Sequence, residues 1–195
     1  KDKLKMIKKN FKILTCFFIL LFLSSRLNAI DDSDIFLDSV FFSAVKKSNH
    51  DKVQRMIEDG ISLNTSDSES LTPLAYALKN DDEKMFDILT SKGADINKKI
   101  LDGNSHLIFY ISNKRSKLIQ KIINSGVDLN FQDRIGRTAL MIAIETKNQR
   151  AVKSLIEKNF DKEVTDYSGK NILDYANKIR DESIKKLVRT KYTGD

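Results

Sequence analysis

The glycines of this chain keep a fixed period, and that period leaves few folds open. Gly60, Gly93 and Gly126 stand 33 residues apart, as do Gly103, Gly136 and Gly169, so only Gly194 falls outside the two series. Ala44, Ala77, Ala143 and Ala176 share one phase of the same period, with Tyr110 at the remaining position. Asp34, Asp67, Asp133 and Asp166 share a second, with Ile100 as the exception, and Asn64, Asn97 and Asn130 a third. A period of this length marks stacked units, none of which buries its apolar face alone. The units run 34–66, 67–99, 100–132, 133–165 and a shortened 166–195. They tile the chain after its first segment and leave no room for a second domain.

Each unit reads as two short helices. Met85, Phe86, Ile88 and Leu89 recur at helical spacing, as do Leu118, Ile119, Ile122 and Ile123, and then Val152, Leu155 and Ile156. Gly60, Gly93 and Gly126 follow the second helix, where a left-handed residue satisfies the last carbonyls, and Asn159 takes that place in the fourth unit. Gly103, Gly136 and Gly169 fall in turns between units. In phase with Thr72-Pro73-Leu74 stand Ser39-Val40-Phe41, Ser105-His106-Leu107, Thr138-Ala139-Leu140 and Asn171-Ile172-Leu173. Ser, Thr or Asn always comes first, as an N-cap residue, and a large apolar residue always comes third. Pro73, the only proline, suits the first helical position because its missing N–H has no partner there.

A turn, T-P-L-x-x-A, two antiparallel helices and G-A-D-I-N resemble the ankyrin repeat. DSESLTPLAYALKNDDEKMFDILTSKGADIN, residues 67–97, carries the likeness best, supported by DRIGRTALMIA (133–143) and SGVDLN (125–130). The resemblance implies an all-α solenoid of about five helix-turn-helix units over residues 34–195. Two departures stand out: Tyr110 replaces the small residue of unit three, and Leu37 occupies the turn-glycine phase of unit one, as in a divergent capping repeat.

The first 29 residues have a different design. KDKLKMIKKNFK carries six lysines, ILTCFFILLFL has no charge, and SSRLNA ends on a small residue. This order describes an export signal, and the apolar run is short for a membrane span; Arg26 after it also suits an uncleaved anchor at residues 11–23. The expected location is outside the cytoplasm, in a periplasm or at a cell surface, or anchored to the membrane by the N-terminus. Without this segment the chain holds 27 basic against 26 acidic side chains, so its high pI is no footprint of nucleic-acid binding. Cys16, the sole cysteine, precedes FFILLFL and therefore does not fit a lipid-anchor cleavage site. The rest of the chain holds neither a disulfide nor a Cys metal ligand.

Catalytic chemistry finds little material. His50 and His106 read as surface residues, and neither has a second histidine nearby to build a metal site. Asp81-Asp82-Glu83 begins a helix, where acids favour the positive end of the dipole, and the in-phase aspartates read as turn formers. No glycine loop or nucleophile motif appears. The expectation is a non-enzymatic binding module that needs no cofactor or metal, takes an unidentified protein partner and no nucleic acid, and meets a membrane only through residues 11–23. The resemblance places the partner on a concave face and on the turn tips. Mapped by phase, the candidate residues are Leu71, Leu101, Asn104, Arg134, Ile135, Arg137, Tyr167 and Lys170. Apolar anchors beside arginines are the usual ingredients of an interface core. Replacing Arg134 and Arg137 together by alanine is expected to weaken partner capture with little loss of melting temperature.

Overall fold

A computed structural model describes residues 32–158 and 160–193; residues 1–29, where an export signal or anchor is expected, and Asn159 lie outside them. The described residues form ten α-helices, a short 3-10 turn at Leu101–Gly103 and no strand beyond the single bridge Ile100–Asn104. The helices are α1 (Asp32–Lys46), α2 (His50–Glu58), α3 (Pro73–Lys79), α4 (Glu83–Ser91) and α5 (His106–Ser112), followed by α6 (Ile119–Asn124), α7 (Ala139–Glu145), α8 (Gln149–Ile156), α9 (Ile172–Lys178) and α10 (Glu182–Thr193). The chain divides at Leu37, and the repeats form one unit from Asp38 onward. Within it first helices stack on first helices, α3 on α5, α5 on α7 and α7 on α9. Second helices stack likewise, α2 on α4, α6 on α8 and α8 on α10.

The small-residue phase explains this stacking. Ala44, Ala77, Ala143 and Ala176 are buried where helices approach closely, among Leu74, Leu78, Leu107, Ile111, Leu140 and Ile144. The helix starts follow the expected caps in four units. The side chains of Thr72, Ser105, Thr138 and Asn171 accept from the N–H of Ala75, Ile108, Met141 and Asp174, respectively. Each such cap stabilises by about 1 kcal/mol. Unit one departs from the expectation. Asp34 lies inside a 15-residue helix rather than in a turn, and Ser39 lies mid-helix rather than at a cap. The stretch DSDIFLDSVFFSAVK has no glycine or proline, and Leu37 resists the positive φ that the turn needs, so the helix continues through it.

The asparagine phase proves to be a ladder. Asn64, Asn97 and Asn130 each accept, through Oδ1, the backbone N–H of Asp95, Asp128 and Asp161 in the next unit, at 2.9, 2.9 and 3.0 Å.

Tyr110 is buried, and it repairs a missing cap. Asn49, Asp82, Asn148 and Asp181 cap the second helices, and their phase falls in unit three on Arg115, which has no acceptor to offer. Helix α6 accordingly starts late, at Ile119, with no side-chain cap. The Tyr110 hydroxyl accepts the Leu118 N–H at 2.7 Å and donates to Asp81 Oδ1 at 2.6 Å, while Arg115 turns back to Asp81 Oδ2 at 2.6 Å. Burial and the Asp81 carboxylate push the phenol well above its ordinary range. Tyr110→Phe strands the buried Leu118 N–H and is expected to cost about 2 kcal/mol in urea unfolding. A loss no larger than that of the buried but cap-free Phe109→Leu would overturn this role.

His106 corrects its surface assignment. It is fully buried at the start of α5, with Nδ1 2.9 Å from the Ile96 carbonyl and Nε2 2.7 Å from Thr72 Oγ1. The phase of Pro73 is interior in both units, and a histidine there must bring its own partners. His50 is half-buried, and its Nε2 lies 2.9 Å from the Asp82 carboxylate that caps α4.

Candidate functional site

The tips of units two, four and five are each built by one carboxylate. Asp67 Oδ1 accepts the N–H groups of Glu69 and Leu71, Asp133 Oδ1 those of Ile135 and Arg137, and Asp166 Oδ1 those of Ser168 and Lys170. The second oxygen takes whatever the unit supplies. Tyr76 and Tyr175 donate their hydroxyls to Asp67 and Asp166 at 2.7 and 2.8 Å. In unit four the tyrosine phase carries Ile142, and Arg137 Nε fills the vacancy at 2.9 Å. In unit three Ile100 replaces the acid and Phe109 the tyrosine, so both polar partners are missing together and Ile100 packs in the core. Burial works against the Asp67 and Asp166 charges, but the donated hydrogen bonds outweigh it and hold both below the usual carboxylate range.

The tips of units three to five are joined. Tyr167 N–H donates to the Ile135 carbonyl at 3.0 Å, Gln132 Nε2 donates to the Thr165 carbonyl at 2.9 Å, and Arg134 reaches Asp102 at 3.4 Å. Between the third and fourth tips lies a groove lined by Asn104, Ser112, Arg134, Ile135 and Arg137, with Ile108 beneath. Four of the candidate residues meet there: Asn104, Arg134, Ile135 and Arg137. Ile135 and Tyr167 are 55% and 73% exposed and Leu101 is 38% exposed, so apolar surface continues along the tips.

Three candidates fare differently. Leu71 is 2% exposed and belongs to the core, because its backbone N–H is pinned to Asp67 and the side chain turns inward. It offers nothing to a partner. Lys170 is exposed but does not line the groove. Arg137 lines it yet is already engaged, by Asp133 Oδ2 at 2.9 Å and by Glu145 Oε2 at 2.7 Å. Replacing it strands the buried Asp133 oxygen, so the double alanine change with Arg134 is expected to lower stability as well as capture. Asp102 lines the groove and Glu145 pairs with Arg137; the repeat phase puts both on this face, at a tip and on a first helix, but their ion pairs with Arg134 and Arg137 appear only in the structure.

Among the described residues no three His, Cys, Asp or Glu side chains converge into a metal site, and no helix is long and apolar enough to cross a membrane. A family model for ankyrin repeats matches residues 6–100 and 107–194, in three copies. No curated protein matches the chain.

Proposed function

The chain belongs to the ankyrin-repeat family, whose repeats generally mediate protein–protein interaction, and on that premise we propose a non-catalytic module that acts after export from the cytoplasm and grips a protein partner at the tips of units three to five. The observation that carries this reading is the groove at Asn104, Arg134, Ile135 and Arg137, flanked by exposed Leu101 and Tyr167. Apolar side chains offer area to desolvate, and Arg134 at its rim keeps a largely exposed guanidinium on a long 3.4 Å contact that a partner acid can replace. Arg137 contributes by fixing the tip through Asp133. Tethering by residues 11–23 is the alternative to release. Terminal sequencing separates them: a mature chain starting near Ile30 supports cleavage, and an intact N-terminus in the membrane fraction supports the anchor.

Arg134→Glu with Ile135→Asp tests the surface. Both side chains are exposed, so the melting temperature is expected to move by no more than about 2 °C. Capture of the partner from the exported fraction is expected to fall about tenfold or more. Unchanged capture by the folded variant would move the binding face elsewhere.

A further inference from the structure

A second cleft, of about 400 Å3, opens between the fourth and fifth units and is lined by Glu145, Lys147, Tyr175, Lys178, Ile179 and Arg180. Its charges do not balance. Glu145 is held by Arg137 Nη1 at 2.7 Å, whereas Lys147, Lys178 and Arg180 have no ion pair or side-chain hydrogen bond among the described residues. Three exposed, unmatched cations therefore face a wall of Tyr175 and the half-buried Ile179.

Lys147 is an unexpected residue for its backbone. It has φ 55°, a conformation shared in phase by Ser48, Asp81 and Lys114. Asn, Asp or Gly adopts that conformation at lower cost, so what lysine adds is its charge. The charge along the repeats points the same way. Residues 34–99 hold nine basic against twelve acidic side chains, and residues 133–195 hold fourteen against ten, which draws acidic groups toward this end.

We propose that this cleft takes an acidic segment of the protein partner, its carboxylates paired with Lys147, Lys178 and Arg180 and its apolar side chains against Tyr175 and Ile179. The proposal rests on the protein-binding reading above and gives that partner a chemistry. Nucleic acid is the poorer occupant: base stacking needs an open aromatic face, and Tyr175 is 9% exposed with its hydroxyl tied to Asp166. The Arg137–Glu145 pair borders both the tip groove and this cleft, so one extended segment can lie across the two.

The test measures fluorescence anisotropy of a labelled peptide of alternating Glu and Val on the full chain, with an oligothymidylate of equal charge as competitor. The wild type is expected to bind the peptide, more weakly as salt rises. The variant Lys147→Gln, Lys178→Gln, Arg180→Gln is expected to lose about tenfold or more in affinity. The matched variant Lys84→Gln, Lys92→Gln, Lys153→Gln removes three exposed lysines elsewhere and is expected to stay within about twofold. No binding by the wild type, equal losses in the two variants, or stronger competition by the oligothymidylate than by unlabelled peptide would each overturn the proposal. Peptide binding is read on Arg134→Glu with Ile135→Asp as well. Persistence there, with partner capture lost, keeps both sites; partner capture intact in the cleft variant rejects the cleft and leaves the tip reading standing.

Discussion

Gly136→Ala is expected to cost about 2–4 kcal/mol in urea unfolding, whereas Gly103→Ala and Gly169→Ala, at the same phase of neighbouring units, cost about 1 kcal/mol each. All three glycines have positive φ, at 86°, 71° and 80°, so each alanine pays the left-handed penalty. Only Gly136 adds an overlap. A Cβ there would stand 2.6 Å from Tyr167 Cδ1, 2.6 Å from the Tyr167 nitrogen and 3.0 Å from the Asp166 carbonyl carbon, while the other two glycines meet nothing within 4 Å. The ring can turn away, but the backbone cannot easily follow. Tyr167 N–H is bonded to the Ile135 carbonyl, and Asp166 holds Ser168 and Lys170 in the same turn. Forcing atoms into a packed contact costs about 1–3 kcal/mol beyond the backbone term. Equal losses at the three glycines would show that the fourth and fifth tips do not press on each other. A larger loss at Gly136 would place the contact between tips, where the partner groove borders Ile135.

The repeat was legible because its phases are set by backbone needs that few residues meet. A positive φ selects glycine, a helix start selects Thr, Ser or Asn, and the aspartate of each tip is chosen for reaching two N–H groups at once. Such needs recur in most units and therefore leave a period. Unit one was misread at Asp34 and Ser39 because phase was carried into a stretch where Leu37 no longer permits the turn. Leu71 and His106 were misread for a different reason. Burial depends on what the neighbouring unit places opposite, and Thr72, whose hydroxyl donates to His106, lies 34 residues away. Tyr110 shows the limit most clearly: its phase announces a departure, but its purpose appears only beside Arg115, the residue that fails to cap α6. The tip candidates divide along the same line. Ile135 and Tyr167 stand exposed on their turns, whereas the engagement of Arg137 depends on Asp133 in its own tip and on Glu145 at the end of the helix that follows.

Between pH 6.5 and 4 the protein is expected to lose about 3 kcal/mol of stability, and His106→Gln is expected to remove most of that slope. His106 is pushed down from 6.5 to about 4, chiefly by burial; the Ile96 carbonyl and the Asp95 charge oppose the shift, and Lys98 adds to it. The Ile96 carbonyl can only accept, so Nδ1 carries the proton and Nε2 accepts from the Thr72 hydroxyl. A second proton at Nε2 would remove that acceptor and charge a fully buried ring between two units. The unfolded chain takes the proton near pH 6.5 and the folded one only near pH 4, so the contribution is complete above 6.5 and is lost as pH falls to about 4. Asp67, Asp82 and Asp166 have the same sign in a lower window. Each is held below 3.8 in the fold, so their contributions disappear only as pH drops beneath that value. Urea unfolding at intervals from pH 7 to 3 separates the two limbs. The glutamine variant should keep the acid limb and flatten the upper one, even though it starts less stable at pH 7. If the upper slope survives the substitution, the acid sensitivity belongs to other groups and the buried bridge from Thr72 through His106 to Ile96 does not stay neutral across that range.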